Sequence, residues 1–163
     1  MRRFLPLVLL LAALLLDTSI LPVLIDHWAM PMLLLDSVIV LGLLLGRTRG
    51  LMYGTIAGVM LDVSVGSHFG MYFLLYTAFG YLAGIAGRKF QRYLLTTALT
   101  PLIILSLFEI IMAVNQIIIG IDPTGAMFIE MAVRIVIQTV LTQFMYLLYN
   151  RLLKPKWSRY AAR

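Results

Sequence analysis

Single acids inside apolar stretches are the side chains of this 163-residue chain that could carry chemistry. Asp62 lies within the apolar residues 51–65, and Asp17, Asp36 and Glu109 lie singly in other such stretches. A carboxylate in a membrane can anchor a hydrogen bond or ion pair, bind a proton or cation, or act as a catalytic acid. Catalysis usually gathers several polar groups, such as acids that share a metal ion or a proton. No second acid lies within two turns of Asp62, so a structural anchor is favoured over the other two roles.

A stripe of polar side chains follows the last apolar stretch. Its members recur at every fourth position and therefore share one helix face: Glu130, Arg134, Gln138 and Thr142. Glu130 and Arg134 stand in the favourable order for an ion pair, and Arg134 could instead reach Asp62. We expect the stripe to face inward and to form an intramembrane polar network with Asp62 and Glu109. A pocket for a polar ligand is the alternative.

Composition argues against several other kinds of site. Cysteine is absent and there are two histidines, His27 and His68, so we expect no thiolate chemistry, no metal site and no cofactor. The net charge of +6 could indicate a nucleic-acid partner, which would need basic residues clustered on a solvated face. The basic residues instead follow a membrane pattern, and no nucleic-acid binding is predicted.

Hydropathy predicts a membrane protein with one domain over residues 1–163. Hydrophobic residues make up 62% of the chain and charged residues 12%, which is typical of a multi-span membrane protein. Turn and charge breaks divide the sequence into six spans, near residues 4–25, 28–45, 51–65, 69–86, 93–119 and 127–153. Twelve of the 13 basic residues then lie on one side, which places both termini in the cytoplasm. The predicted fold class is an all-α integral membrane protein, a six-transmembrane-helix bundle.

Glycine recurs at every fourth position through the middle of the chain, with one acid in the series: Gly42, Gly46, Gly50, Gly54, Gly58, Asp62, Gly66 and Gly70. Glycine in a helix costs about 1 kcal/mol relative to alanine, and close approach of a second helix is the usual compensation in membranes. Gly54, Gly58 and Asp62 share one helix face, and Gly80 and Gly84 repeat the spacing in the fourth span. We therefore expect the third and fourth spans to be tightly packed neighbours. Docking of a partner helix on these glycines is the alternative.

The third predicted span is short. Its fifteen residues cover about 22 Å, whereas the hydrocarbon core of a bilayer is about 30 Å thick. The span either lies in the centre of the bundle, or residues 47–50 and 66–70 extend it with irregular backbone that is buried in protein.

The same segment, RGLMYGTIAGVMLDVSVGSHFGMYFLLYTAFGYLAG, resembles the hallmark of the rod-shape-determining membrane protein family MreD. The matching positions are Arg49, Gly50, Gly54, Gly58, Asp62, Gly66, Ser67, Gly70, Gly80, Tyr81, Leu82 and Gly84. The resemblance implies a non-enzymatic scaffold of the bacterial cell-wall elongation machinery in the cytoplasmic (inner) membrane. It implies MreC as binding partner, with MreB, RodA and the elongation transpeptidase in a larger complex. It also implies a fold similar to the substrate-binding subunits of energy-coupling-factor transporters.

Two other functions compete with the scaffold. A vitamin-binding transporter subunit shares the six helices, but it needs an aromatic and polar pocket near the outer face, and the loops here are short and nearly bare of such groups. Its coupling helix typically presents paired small residues, and the first span offers only Ala12 and Ala13 for this purpose. A membrane enzyme would need several facing aspartates, and no such group is visible. For the scaffold, residues 69–87 and the outward side of residues 42–58 are the candidate contact faces.

Overall fold

The computed structural model describes residues 5–20, 32–65, 70–90, 94–120 and 125–153. These residues form six helices and no strand. The helices are α1 Leu5–Leu15, which continues into a π-helical turn Leu16–Ile20, then α2 Leu33–Leu45, α3 Arg47–Val65, α4 Met71–Phe90, α5 Leu94–Ile118 and α6 Gly125–Leu153. The all-helical class and the six helices expected from the sequence are confirmed.

Two helical segments of this described part are long and apolar enough to cross a membrane, namely Thr97–Ile118 in α5 and Met127–Leu152 in α6. Shorter apolar helices occupy Leu5–Ser19, Leu33–Leu45 and Met71–Gly87. Much of the outer surface of α5 and α6 is apolar, with large side chains such as Ile118, Ile129 and Val140 more than half exposed. This surface would be costly in water and suits lipid or another helix.

The short third span is longer than expected, because Arg47–Gly50 form the first turn of α3. With 19 residues, α3 measures about 28 Å, close to the thickness of a bilayer core. Irregular backbone over residues 47–50, which was one of the two alternatives, is therefore wrong. Residues 66–69, which the same alternative included, lie outside the described part of the chain. Gly46 alone connects α2 to α3, and its positive φ of 87° is a conformation that glycine adopts without strain.

The core is built around α2. All residues from 34 to 43 are buried, so this helix is covered on every side. α1, α3, α4 and α6 all pack against it. Tyr76 and Phe79 of α4 also meet Phe108 of α5 edge to face, with ring centroids 6.4 and 6.1 Å apart. α2, α3 and α4 thus form a compact group, which α5 meets through aromatic rings and α6 through polar contacts.

Candidate functional site: a glycine seam closed by an aspartate

The glycines of α3 lie directly against the backbone of α4. A methyl group at Gly50, Gly54 or Gly58 would collide with main-chain atoms, which are in that order the carbonyl oxygens of Gly80 and Tyr76 and the Cα atom of Phe73. At Gly58 the added carbon would lie 2.6 Å from that Cα, closer than side chains approach backbone in real proteins. The two helices therefore touch through their main chains, without side chains between them.

The glycines of α4 complete this contact from the other side. Gly80 faces the carbonyl group of Gly50, and Gly84 faces the backbone of Arg47. The two helices run antiparallel, because each step of one turn up α3 is matched by a step of one turn down α4. We call Gly50, Gly54, Gly58, Gly80 and Gly84 the glycine seam. The expectation that the third and fourth spans are packed neighbours is confirmed.

Two further glycines bring α2 into the same contact. A methyl group at Gly42 would lie 2.8 Å from the carbonyl oxygen of Gly80, and one at Gly87 would meet the backbone of Leu43. Gly70 serves a different purpose, since it has a positive φ of 97° and nothing lies within 4 Å of its missing side chain. Gly66, which we expected in the same series, lies outside the described residues.

Asp62 follows Gly58 by one turn and faces the beginning of α4. Its carboxylate accepts hydrogen bonds from the backbone N–H groups of Gly70 (3.1 Å), Tyr72 (3.2 Å) and Phe73 (3.0 Å), and only 4% of the residue is exposed. The first amides of a helix have no partner within the helix, and a negative charge at that end also interacts favourably with the helix dipole. Asp62 of α3 thus caps the amino-terminal end of α4.

Asp17 caps the start of α2 in the same way. Its carboxylate accepts hydrogen bonds from the N–H groups of Leu33 (2.9 Å) and Leu34 (2.8 Å), at the start of α2. The sequence left the role of Asp17 open. The signal was present, because an acid near the end of one span can reach the free amides that open the next. In an up-and-down bundle, the two caps lie at the same end, opposite the amino terminus.

The polar stripe of α6 makes several separate contacts. Arg134 donates to Glu109 of α5 at 3.5 Å, and the amide of Gln138 donates to the carbonyl oxygen of Met32 at 3.4 Å. Gln138 and Thr142 are buried, as expected for an inward-facing stripe, and Glu130 is half-buried. The carboxylate of Asp62 accepts only from backbone N–H groups among the described residues. The prediction that Asp62 belongs to one side-chain network with the stripe was therefore wrong.

Sequence reasoning missed the partners of α6 on α2. The Thr142 hydroxyl lies 2.8 Å from Oδ1 of Asp36, and the hydroxyl groups of Ser37 and Tyr149 lie 3.0 Å apart. These contacts join residues more than 100 positions apart, and the fourfold spacing in α6 revealed a polar face without revealing what it meets. Within the described ranges, no three His, Cys, Asp or Glu residues come together as a metal site.

Comparison with known proteins gives one finding. A family model described as rod shape-determining protein MreD matches residues 1–152. No curated protein and no solved structure matches the chain. The match extends well beyond residues 49–84, on which the resemblance noted from the sequence depends.

The glycine seam predicts a sharp dependence on side-chain volume. Gly58→Leu should lower the free energy of unfolding by about 3 kcal/mol, because the new side chain meets main-chain atoms that cannot yield. Gly125→Leu is the matched control, since nothing lies within 4 Å of that position. Thermal unfolding of the purified variants in a mild detergent measures the difference. Equal stability of the two variants would contradict the seam.

The cap formed by Asp62 predicts different effects for two substitutions. Asp62→Asn keeps an acceptor oxygen and should cost about 1 kcal/mol, whereas Asp62→Leu leaves three amides without an acceptor and should cost about 3 kcal/mol or more. Ser64→Leu, at an exposed position of the same helix, controls for the added apolar side chain. The same unfolding measurement applies. Equal loss of function in both Asp62 variants with an intact fold would instead indicate ion or proton chemistry.

Proposed function

The chain belongs to the MreD family of rod shape-determining proteins, and from this membership we propose that it is a non-enzymatic membrane scaffold that binds MreC. The proposal includes six spans in the bacterial cytoplasmic membrane and both termini in the cytoplasm. The two long apolar helices and the positions of the basic residues support this arrangement.

The observation that carries the scaffold proposal is the way in which Asp17, Asp62 and Glu109 are used. Asp17 and Asp62 cap helices, and Glu109 accepts a hydrogen bond from Arg134. A general acid or base must be free to exchange a proton with a substrate, and these groups are already engaged with the backbone or with a cation. Their placement supports a structural protein rather than an enzyme.

We place the docking surface for the MreC span on the outer face of α3 and α4. Apolar side chains at Val59 and Val63 of α3 and at Leu74 and Leu82 of α4 are 46–70% exposed, and Ala78 lies among those of α4. The glycine seam keeps these two helices at a fixed distance. A stiff surface loses little conformational entropy when a partner binds, which favours this face over the more loosely attached α6.

The remaining partners follow from the family resemblance. We propose that MreB, RodA and the elongation transpeptidase join the same assembly through MreC or through other faces of the bundle. A fold similar to the substrate-binding subunits of energy-coupling-factor transporters belongs to the same proposal, and the six helices are consistent with it. The vitamin-binding function of those subunits is the alternative that the following experiment distinguishes.

Affinity purification from a mild-detergent membrane extract tests the proposal. We expect the tagged chain to recover MreC in a stoichiometric amount. Ala78→Trp should reduce this recovery at least about tenfold, because a bulky side chain in the centre of a docking face obstructs the partner. Val140→Trp places the same side chain on the exposed face of α6 and should leave recovery unchanged.

The controls separate the two levels of the proposal. Both tryptophan variants should unfold at the temperature of the unaltered chain, since neither position is buried. If the unaltered chain recovers no MreC, the scaffold function is wrong, and recovery of an ATPase with a membrane coupling subunit would establish the transporter. If MreC is lost with Val140→Trp and kept with Ala78→Trp, the docking face lies on α6.

A further inference from the structure

The contact between α2 and α6 is polar and closed to solvent. Asp36 of α2 and Thr142 of α6 are 0% exposed, and Gln138 is 1% exposed. Oδ1 of Asp36 lies 2.8 Å from the Thr142 hydroxyl oxygen, whereas Oδ2 is buried with no hydrogen-bond partner among the described residues. An ionised carboxylate in this position would have one oxygen without a hydrogen bond from the described residues to replace its lost water.

The hydroxyl group of Thr142 can donate a hydrogen bond in only one of its two short contacts. Its oxygen lies 2.8 Å from Oδ1 of Asp36 and also 2.8 Å from the carbonyl oxygen of Gln138, and a threonine hydroxyl carries one proton. If that proton goes to the Gln138 carbonyl, the contact with Asp36 is a hydrogen bond only when Asp36 is the donor. Both contacts are satisfied at once when Oδ1 of Asp36 carries a proton.

The neighbouring hydroxyl pair leaves no proton for Asp36. Ser37 donates to the carbonyl oxygen of Leu33 at 2.8 Å, so the proton between Ser37 and Tyr149, whose oxygens are 3.0 Å apart, comes from Tyr149. Every hydroxyl hydrogen at this contact then has an acceptor of its own. The remaining donor that faces the carboxyl group of Asp36 is the amide of Gln138, which also approaches the Met32 carbonyl.

Among the described residues, an acid and two phenols are the titratable groups placed around Asp36. Asp17, from the π-helical turn, is a second acid that acts on it, and the groups that face it from α4 and α6 are the phenols Tyr76 and Tyr149. The acids of α3 and α5, which also pack on α2, are engaged elsewhere. Asp62 accepts from the amides of α4, and Glu109 accepts from Arg134.

We propose that Asp36 is a proton-binding site, in which a proton on Oδ1 is donated to the Thr142 hydroxyl and fastens α6 to α2. With that proton in place, Oδ2 is the carbonyl oxygen of a neutral acid, which is far less costly to bury than a carboxylate. Asp36 differs in this from Asp17 and Asp62, whose carboxylates accept several backbone N–H groups. The site is independent of MreC binding, and neither inference needs the other.

The proposal fixes the sign of a pH dependence. If the folded chain holds a proton at Asp36 that the unfolded chain releases at about pH 4, stability falls as the pH rises from about 4 to the higher pH at which the folded chain also releases the proton. Asp36→Asn should remove this contribution, because its amide N–H₂ can donate to Thr142 at every pH while its oxygen takes the place of Oδ2. The stability of this variant should match that of the unaltered chain at the lower pH and exceed it at the higher pH.

Infrared spectroscopy of the chain in lipid, with ¹³C-labelled aspartate, observes the proton directly. We expect the C=O band of a protonated carboxylic acid at neutral pH and its loss in Asp36→Asn. Glu109→Gln is the matched control and should keep the band. If Asp36→Asn does not fold, Thr142→Val and Thr142→Ser replace it, and the band should shift in the valine variant and stay in place in the serine variant.

Three results would overturn the proposal. The first is an unaltered chain without the acid band at neutral pH, and the second is a band that persists unshifted in Asp36→Asn or Thr142→Val. The third is loss of the band when sodium replaces a bulky organic cation at constant ionic strength, since Asp36 would then bind a metal cation instead of a proton.

Discussion

The direct contact between the main chains of α3 and α4 is the constraint on which the rest of the structure depends. In a membrane the hydrophobic effect does not draw helices together, so van der Waals contact and hydrogen bonds must do so. Gly54 of α3 and Gly80 of α4 remove the side chains that would hold the two backbones apart. The resulting register places Tyr76 and Phe79 where α5 can pack on them, and it lets Gly42 bring α2 into the same contact.

The acid in the glycine series follows from this register. One turn beyond Gly58, α3 lies beside the first turn of α4. The N–H groups there have no acceptor within their own helix. A glycine there would leave those groups without an acceptor, and a carboxylate supplies both an acceptor and a favourable charge. Asp17 meets the same requirement at the start of α2. Small residues thus serve where two backbones touch, and acids where a helix begins.

The sequence predicted those parts of the molecule that repeat along a single helix. The fourfold spacing of Gly54, Gly58 and Asp62 indicated a shared face, and the repeat of that spacing at Gly80 and Gly84 indicated which two helices meet. The first turn of α3 was not predicted, because the basic residues Arg47 and Arg49 indicated a membrane boundary rather than the beginning of a helix.

Contacts between distant segments were beyond what spacing can reveal. Asp36 and Thr142 each belong to a visible pattern, a lone acid and a polar stripe, yet nothing in either pattern specifies the other as its partner. The partner of Arg134 could not be predicted for the same reason, since the sequence offers several acids as candidates. Such pairings depend on how whole helices are arranged.

The register of α3 against α4 can be measured directly by cysteine cross-linking in native membranes, since the chain contains no cysteine of its own. The hydroxyl oxygens of Thr55 and Thr77 lie 3.2 Å apart across the seam, so a cysteine pair at these positions should form a disulfide rapidly on mild oxidation. Pairs of Thr55 with Phe73 or with Tyr81, one turn away in either direction, should not. Efficient cross-linking of a displaced pair, with none between positions 55 and 77, would contradict the account.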